Sequence, residues 1–451
     1  MSARRSGQGL LIGAAAVIAA LLIIAPAGQW PWDHDEVHSL VELQLVPLHQ
    51  FPGPSTQLER MHRLVPVFYG LQHLALLVVP QNEWGMRLLP ATCGALVTLV
   101  AFVIGWRWRG FAFGVSLFLL LVCSQTLIWL SQQNRFYSLA LLFASIEFAA
   151  VYADDDRWTF DALAIAAGVL AILSHNVTLI LFGLSCVAIT ATWFAGWTTR
   201  TTARRSLLVM AAIGLVYLFY LRPLTAGWTS GDTGGTSVLL SFFAQAGIAP
   251  VALAVPGAIS VLHRKDAPRW SSWILFAVLS VVFVAVSPRI LGSWNPRYGL
   301  FFMMPLWMLA AAGSEAVMRA LPSDRLRVAW LIAVVALLAP KLASHYVDGS
   351  RHDFRTAAAV VAAHDAGTES VLTNWPAELQ YYLEPRTGQR PRFWMPGDAV
   401  PDAGAVIVFS SNAWEPVVQV PGRQITVVSE VGRPRFDEQS HLIRIYRVAP
   451  R

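Results

Sequence analysis

The sequence predicts an α-helical polytopic membrane protein that ends in a small α/β domain. Three observations lead there. The 451 residues are 55% hydrophobic and 13% charged, with mean hydropathy +0.52, against about 25% charged in a soluble protein. Eleven apolar runs are long enough to cross a bilayer. From residue 346 the composition changes to charge, proline and glycine with short alternating segments.

The apolar runs fall at 10–27, 88–106, 111–131, 136–153, 158–174, 176–195, 206–222, 237–262, 270–287, 298–318 and 327–345. The first follows Arg4-Arg5, and Ala25-Pro-Ala27 is a poor cleavage site, so it reads as a retained signal-anchor. The stretch 64–80 is ambiguous, because it holds Pro66, Gln72 and His73. Charge decides its reading. If 64–80 does not cross, then Arg107 and Arg109, the cluster Arg200, Arg204 and Arg205, His263 to Lys265, and Arg319 to Arg327 all share the side of Arg4 and Arg5. That is the positive-inside arrangement, and a crossing at 64–80 would reverse it. The expectation is therefore about eleven spans, with 64–80 lying along the outer face.

The expected domains are a transmembrane module over 1–345, with a first outer loop at 28–87, and a soluble extracytoplasmic α/β domain over 346–451. Strand candidates there are Ala405–Phe409, Ile425–Val428 and Leu442–Val448, and helix candidates are Phe354–His364 and Ala377–Leu383. The formal charge of +6 is almost all arginine, the only lysines being Lys265 and Lys341. No basic soluble face is visible, which excludes a nucleic-acid partner. Cys93, Cys123 and Cys186 lie inside apolar runs and read as core residues.

With that orientation four polar clusters reach the outer side: Asp33 to His38, Gln132 to Tyr137, Ser174-His175-Asn176 and Trp294 to Tyr298. Such density at span ends is costly unless the groups meet water, a partner or a ligand. Asp33 and Glu36 have the spacing of a capping box, with Trp32 and Val37 as its hydrophobic staple. That accounts for Asp33 and part of Glu36 but leaves Asp35 unexplained. On a helix starting there, Asp35 and His38 share a face, as do His34 and His38, which suits acid/base chemistry or a metal. Arg297 follows the helix-start pair Asn295-Pro296, where a bound anion between the guanidinium and free N–H groups would suit the helix dipole. Its alternative is an arginine reaching lipid headgroups. Arg135 sits similarly before the run 136–153, with a salt bridge to Asp35 or Glu36 as its alternative. His175 is either a ligand-facing or a headgroup-facing histidine, and His62, Arg63 and His73 belong to the outer segment.

These features, in their order, resemble the membrane-embedded glycosyltransferases of the GT-C fold that use polyprenyl-phosphate sugars, the protein mannosyltransferase and aminoarabinose-transferase-like superfamily. The resemblance is carried by Asp35-Glu36 after the first span, Asn82-Glu-Trp84 before Arg87-Leu-Leu-Pro90, and Gln133-Asn-Arg135-Phe-Tyr137. Ser174-His175, Arg297-Tyr298 and Asp353-Phe-Arg355 complete it. The Glu-Lys-Pro-Pro segment of aminoarabinose transferases is not recognisable before Val65-Pro66, which argues against that substrate class. The family's two juxtamembrane helices would be 35–48 and 64–80 here.

The resemblance implies an inverting transfer of a sugar from a polyprenyl-phosphate carrier to a glycan, lipid or protein acceptor on the outer face of a bacterial inner membrane. Asp35 is the expected base, with Glu36 orienting or assisting. Arg135, Arg297 and Tyr298 are the expected donor-phosphate residues, and Asp33, His38, His62, Tyr137, His175 and Asn176 line the site. No cofactor is required by the sequence; a divalent metal stays open, with no metal ligands assigned. The alternative function is a transporter or flippase of lipid-linked sugars, which would place polar residues near the midplane of discontinuous helices.

Overall fold

The computed structural model describes residues 2–42, 63–225, 238–263, 267–291, 295–364, 370–411, 420–432 and 442–450. The chain divides into two compact units. The first comprises Met1–Ala27, Arg60–Pro80 and Gly85–Ala343, the second Gly28–Glu59, Gln81–Trp84 and Ser344–Arg451.

In chain order the longer helices are α1 (Ser2–Ala19), α2 (His34–Glu42), α3 (Pro66–Ala75), α4 (Glu83–Arg109), α5 (Phe111–Val122), α6 (Gln125–Ser131), α7 (Tyr137–Val151), α8 (Trp158–Ser174) and α9 (Val177–Phe194). They continue as α10 (Arg200–Val216), α11 (Val238–Ala246), α12 (Ile248–Leu262), α13 (Ala267–Leu291), α14 (Met304–Ala320), α15 (Asp324–Asp348), α16 (Phe354–His364) and α17 (Pro376–Thr387). Each of the eleven expected apolar runs carries helix, and the chain is a multi-pass membrane protein. Among the described residues seven helices are long and apolar enough to cross on their own. Two bent pairs, α5–α6 at 60° and α11–α12 at 87°, pass only together. Helices α7 and α8, of 15 and 17 residues, are shorter. Length and composition thus give seven crossings, nine with the bent pairs, and eleven only if α7 and α8 also cross. The 10-residue α3 within the stretch 64–80 is too short to span.

The breaks in the first unit have local causes. Helix α1 runs into a π-turn at Ala20–Ile24, which takes carbonyls off the regular ladder. Gln132 Nε2 donates to two of them, Leu22 O at 3.3 Å and Ile23 O at 3.1 Å, and Arg87 Nη1 donates to Ala27 O at 2.9 Å. Backbone groups among apolar side chains need such internal partners. Ser124 restarts the chain as α6 by accepting Leu127 N–H at 3.3 Å. Gly247, at φ 84°, makes the sharper turn between α11 and α12 in a conformation that side chains with a Cβ resist. Helices α12 and α14 cross closely, since a Cβ on Gly313 would lie 2.0 Å from Leu253 O.

The second unit holds a five-stranded sheet of order β2-β1-β3-β5-β4, with β1 at Ser370–Thr373, β2 at Arg392–Phe393, β3 at Ala405–Ser411, β4 at Ile425–Val431 and β5 at Leu442–Val448. Strand β1 runs parallel to β2 and β3, and β5 antiparallel to β3 and β4. Leu372, Trp394, Ala405, Ile407, Tyr446 and Val448 form a buried cluster on it. The three expected strands are present and two more, β1 and β2, join them.

Candidate active site

The expected site residues divide between the units. In the first, Arg135, Tyr137, His175, Asn176, Arg297 and Tyr298 sit at helix ends. The turn 132–136 between α6 and α7 is held by Gln132 on the π-turn, and Arg135 N–H closes it by donating to Gln133 O at 2.7 Å. Every residue from Ser131 to Ala140 is buried. Arg135 lays its guanidinium 4.8 Å from the centre of the Phe136 ring, and Arg297 lays its own 5.3 Å from that of Trp129.

His175 joins α8 to α9 and stands at the centre of the cluster. Its ring is 4.8 Å from Phe136, 5.5 Å from Tyr137, 5.2 Å from Tyr298 and 5.4 Å from Phe301. The charge of Arg135 acts on both His175 and the Tyr298 hydroxyl, and that of Arg297 acts on Tyr298. Burial first, then the Arg135 charge, push the imidazole down to about 3, while the Asn176 side chain offsets part of this. The ring is therefore neutral at ordinary pH. Nδ1 accepts from Val177 N–H at 3.2 Å, so the proton sits on Nε2. That N–H is buried, with no hydrogen-bond partner among the described residues. Two guanidinium groups and one neutral donor, walled by aromatic rings, suit an anion carrying a hydroxylated group.

At Arg297 one expectation needs correcting. Its segment opens as a 3-10 turn, Pro296–Tyr298, followed by a four-residue helix, Gly299–Phe302. Asn295 occupies the N–H groups counted on for an anion: Oδ1 accepts from Arg297 N at 3.0 Å and the carbonyl from Tyr298 N at 3.0 Å. Phosphate binding would thus fall to the guanidinium and not to a helix end.

In the second unit, α2 begins at His34 with Asp33 as its cap residue. Glu36 reaches back so that Oε2 accepts Asp33 N–H at 3.0 Å, one half of the capping box. Trp32 and Val37, the expected staple, are both fully buried. Glu36 Oε2 also accepts from Arg351 Nη1 at 2.8 Å, and neither side chain is exposed. Tyr382 OH accepts Trp32 N–H at 2.7 Å and donates to Glu83 Oε1 at 3.2 Å. Arg355 Nη2 donates to the same Glu83 oxygen at 2.8 Å and to Trp30 O at 3.2 Å. Asp35, half-buried, stands at the second helical position, and its carbonyl accepts from Ser39 Oγ at 3.3 Å. His352 beside Arg351 is held below its usual range by burial, against the pull of Asp33 and Glu378. The His38 side chain and the whole of His62 lie outside the described residues. Among the described residues no group of three or more His, Cys, Asp or Glu is placed to hold a metal ion.

No known sequence family and no curated protein matches this chain. Solved structures do. ArnT from Cupriavidus metallidurans in the apo state aligns over 98% of this chain and 98% of its own, with TM-score 0.58 and 14% identity. The fold is ArnT-like, of the GT-C type. The same protein bound to undecaprenyl phosphate gives 0.54 at 15% identity over 98% of both chains. The archaeal oligosaccharyltransferase AglB from Archaeoglobus fulgidus, in complex with an inhibitory peptide and a dolichol-phosphate, gives 0.52 at 12%. That alignment covers 86% of this chain and 64% of the other.

Sequence reasoning missed Trp129, Arg351 and Tyr382. Trp129 is an ordinary aromatic in an apolar run, and nothing in its spacing marks it. Arg351 and Tyr382 lie 315 and 350 residues from the groups they hold, beyond any local pattern.

Proposed function

We propose that this protein is an inverting glycosyltransferase that moves a sugar from a polyprenyl-phosphate carrier to an acceptor hydroxyl on the outer face of a bacterial inner membrane. One observation carries the reading most. Arg135 and Arg297, 162 positions apart in the sequence, both act by charge on the Tyr298 hydroxyl, whose ring lies 5.2 Å from that of the neutral His175. They do so in a fold shared with a protein solved with undecaprenyl phosphate bound. In the reaction the acceptor oxygen attacks the anomeric carbon as the carbon–oxygen bond to the carrier phosphate breaks. The bonding pair leaves on the phosphate, a good leaving group that needs no protonation, and the arginines stabilise the charge developing there. Asp35, ionised, takes the acceptor proton. Glu36 orients the start of α2, on which Asp35 stands. His175 Nε2–H donates to the phosphate or to a sugar hydroxyl, and Tyr137, Asn176 and Tyr298 wall the sugar.

The two bent helix pairs favour a second reading, a transporter of lipid-linked sugars, because discontinuous helices are common at transporter sites. The test separates the two. Membranes containing the full chain are incubated with a panel of radiolabelled polyprenyl-phosphate sugars, and the label is followed. Label leaving the carrier for a second molecule, in the wild type only, supports transfer. Label that changes leaflet while staying on its carrier overturns transfer in favour of transport.

A further inference from the structure

We infer that Arg351 is a positioning residue for the reaction, acting through Glu36 to fix the direction in which α2 presents Asp35. This rests on Asp35 being the base, as proposed above. Four successive residues before and at the cap are held by side chains. Trp30 O accepts from Arg355 at 3.2 Å, Pro31 O from Arg351 Nη1 at 3.1 Å, Trp32 N donates to Tyr382 OH at 2.7 Å, and Asp33 N donates to Glu36 Oε2 at 3.0 Å. Arg351 touches two of these positions, one directly and one through Glu36, and its Nε is turned by Gly349 O at 3.2 Å. Gly349 makes the approach feasible: it sits at φ 68°, and a Cβ there would lie 2.5 Å from Trp30 Cγ.

Stability alone does not explain this arrangement. Burying a carboxylate and a guanidinium costs several kcal/mol per ion, and a packed apolar pair often serves as well or better. A capping box also works with a solvated Glu. What the pair adds is direction. Arg351 Nη1 reaches Glu36 and Pro31 O together while Nε is held by Gly349 O, so the planar guanidinium is fixed at two nitrogens and holds the cap in one direction. Asp35 lies between the clamped Asp33 and the clamped Glu36, and its Cα–Cβ bond is aimed by both.

The test uses the full chain in membranes with the donor that the wild type accepts. Arg351→Met leaves a buried carboxylate unpaired, and both melting temperature and transfer should fall. Combining it with Glu36→Gln removes both charges, so melting should return towards wild type and kcat to within about tenfold of it, the coupling expected of two residues in contact. Arg351→Lys keeps the charge and loses the fork. It should melt like the wild type, keep the donor KM and lose about tenfold in kcat. Wild-type kcat in Arg351→Lys makes the residue structural only and overturns the inference. A double variant that does not fold, or that melts like wild type yet transfers no faster than Glu36→Gln, overturns it too, the latter by making Glu36 a chemical participant. If the wild type transfers from no donor, the proposed function fails instead. The melting cycle then still decides the lock, and absence of coupling between positions 36 and 351 refutes it.

Discussion

Asp35 carries the most exposed claim at the scale of single residues. Asp35→Asn keeps shape and removes basicity, so turnover should fall by about 10²–10⁴-fold with donor binding near normal. Asp33→Asn should be far milder, because asparagine caps a helix about as well as aspartate. An active Asp35→Asn beside a dead Asp33→Asn would put the base on the wrong carboxylate. On the proposed reading, Arg135→Ala and Arg297→Ala should each remove a charge-assisted phosphate contact, on the order of 1.5–3 kcal/mol, or roughly tenfold to a hundredfold in donor use. Wild-type rates in both would mean that neither arginine holds the donor phosphate. His175 yields a sign that can be checked. Its folded value near 3 lies below the usual 6.5, so the unfolded chain binds the extra proton between those values. Stability from His175 is complete above the unfolded value and drains as pH falls towards 3. His175→Gln keeps an N–H near the Nε2 position and should flatten that slope in melts from pH 4 to 7. The shape of the rate profile above pH 5 should not change, since the ring is already neutral there.

Close approach and breakage govern the elements. The α12–α14 crossing depends on glycine: a methyl at Gly313 would meet Leu253 O at 2.0 Å, and one at Gly257 would meet Leu309 O at 1.8 Å. Both neighbours are backbone and cannot yield cheaply. Gly313→Ala should therefore cost about 1–3 kcal/mol or more through overpacking, seen as a lower melting temperature in detergent. Gly214→Ala is the control, because nothing lies within 4 Å of its would-be Cβ in α10. It should be neutral or slightly stabilising, as alanine is the better helix former. Equal melting of the two variants would show that α12 and α14 do not touch as described.

Orientation is the claim that belongs to the whole molecule. The positive-inside rule predicts Arg107 and Arg200 inside and Asp402 outside. Single cysteines at these positions, in a chain cleared of Cys93, Cys123 and Cys186, should label with an impermeant reagent at 402 from outside intact cells. Positions 107 and 200 should label only after lysis. Labelling of 107 from outside would move every proposed site residue to the wrong face. The second unit bears on the same scale, since residues 28–59 and 81–84 belong to one compact body with 344–451. A chain truncated before Ser344 would lose Arg351, Arg355 and Tyr382, and with them the partners of Trp30, Pro31, Trp32 and Glu36.

By itself the sequence determined what local chemistry can encode. Hydrophobic runs alone locate the helices of a multi-pass protein, because a span must bury some twenty apolar residues in a row. Asp33, Glu36 and the flanking Trp32 and Val37 announce the start of α2, because capping is settled within one turn. The alternation in Ala405–Phe409 and Leu442–Val448 reveals strands for the same reason. Tertiary structure decided the rest. Two-residue β2 has no period to read, and β1 becomes a strand only by pairing between β2 and β3. The 3-10 turn at Arg297 depends on how the Asn295 side chain folds back onto the backbone. His175 is neutral because Phe136, Tyr137, Tyr298 and Phe301 exclude water from it, and those neighbours lie up to 126 positions away. Glu36 meets Arg351 across 315 residues. Desolvation and pairing of charge are set by whatever the folded chain brings within a few ångströms, and no window along the sequence contains that.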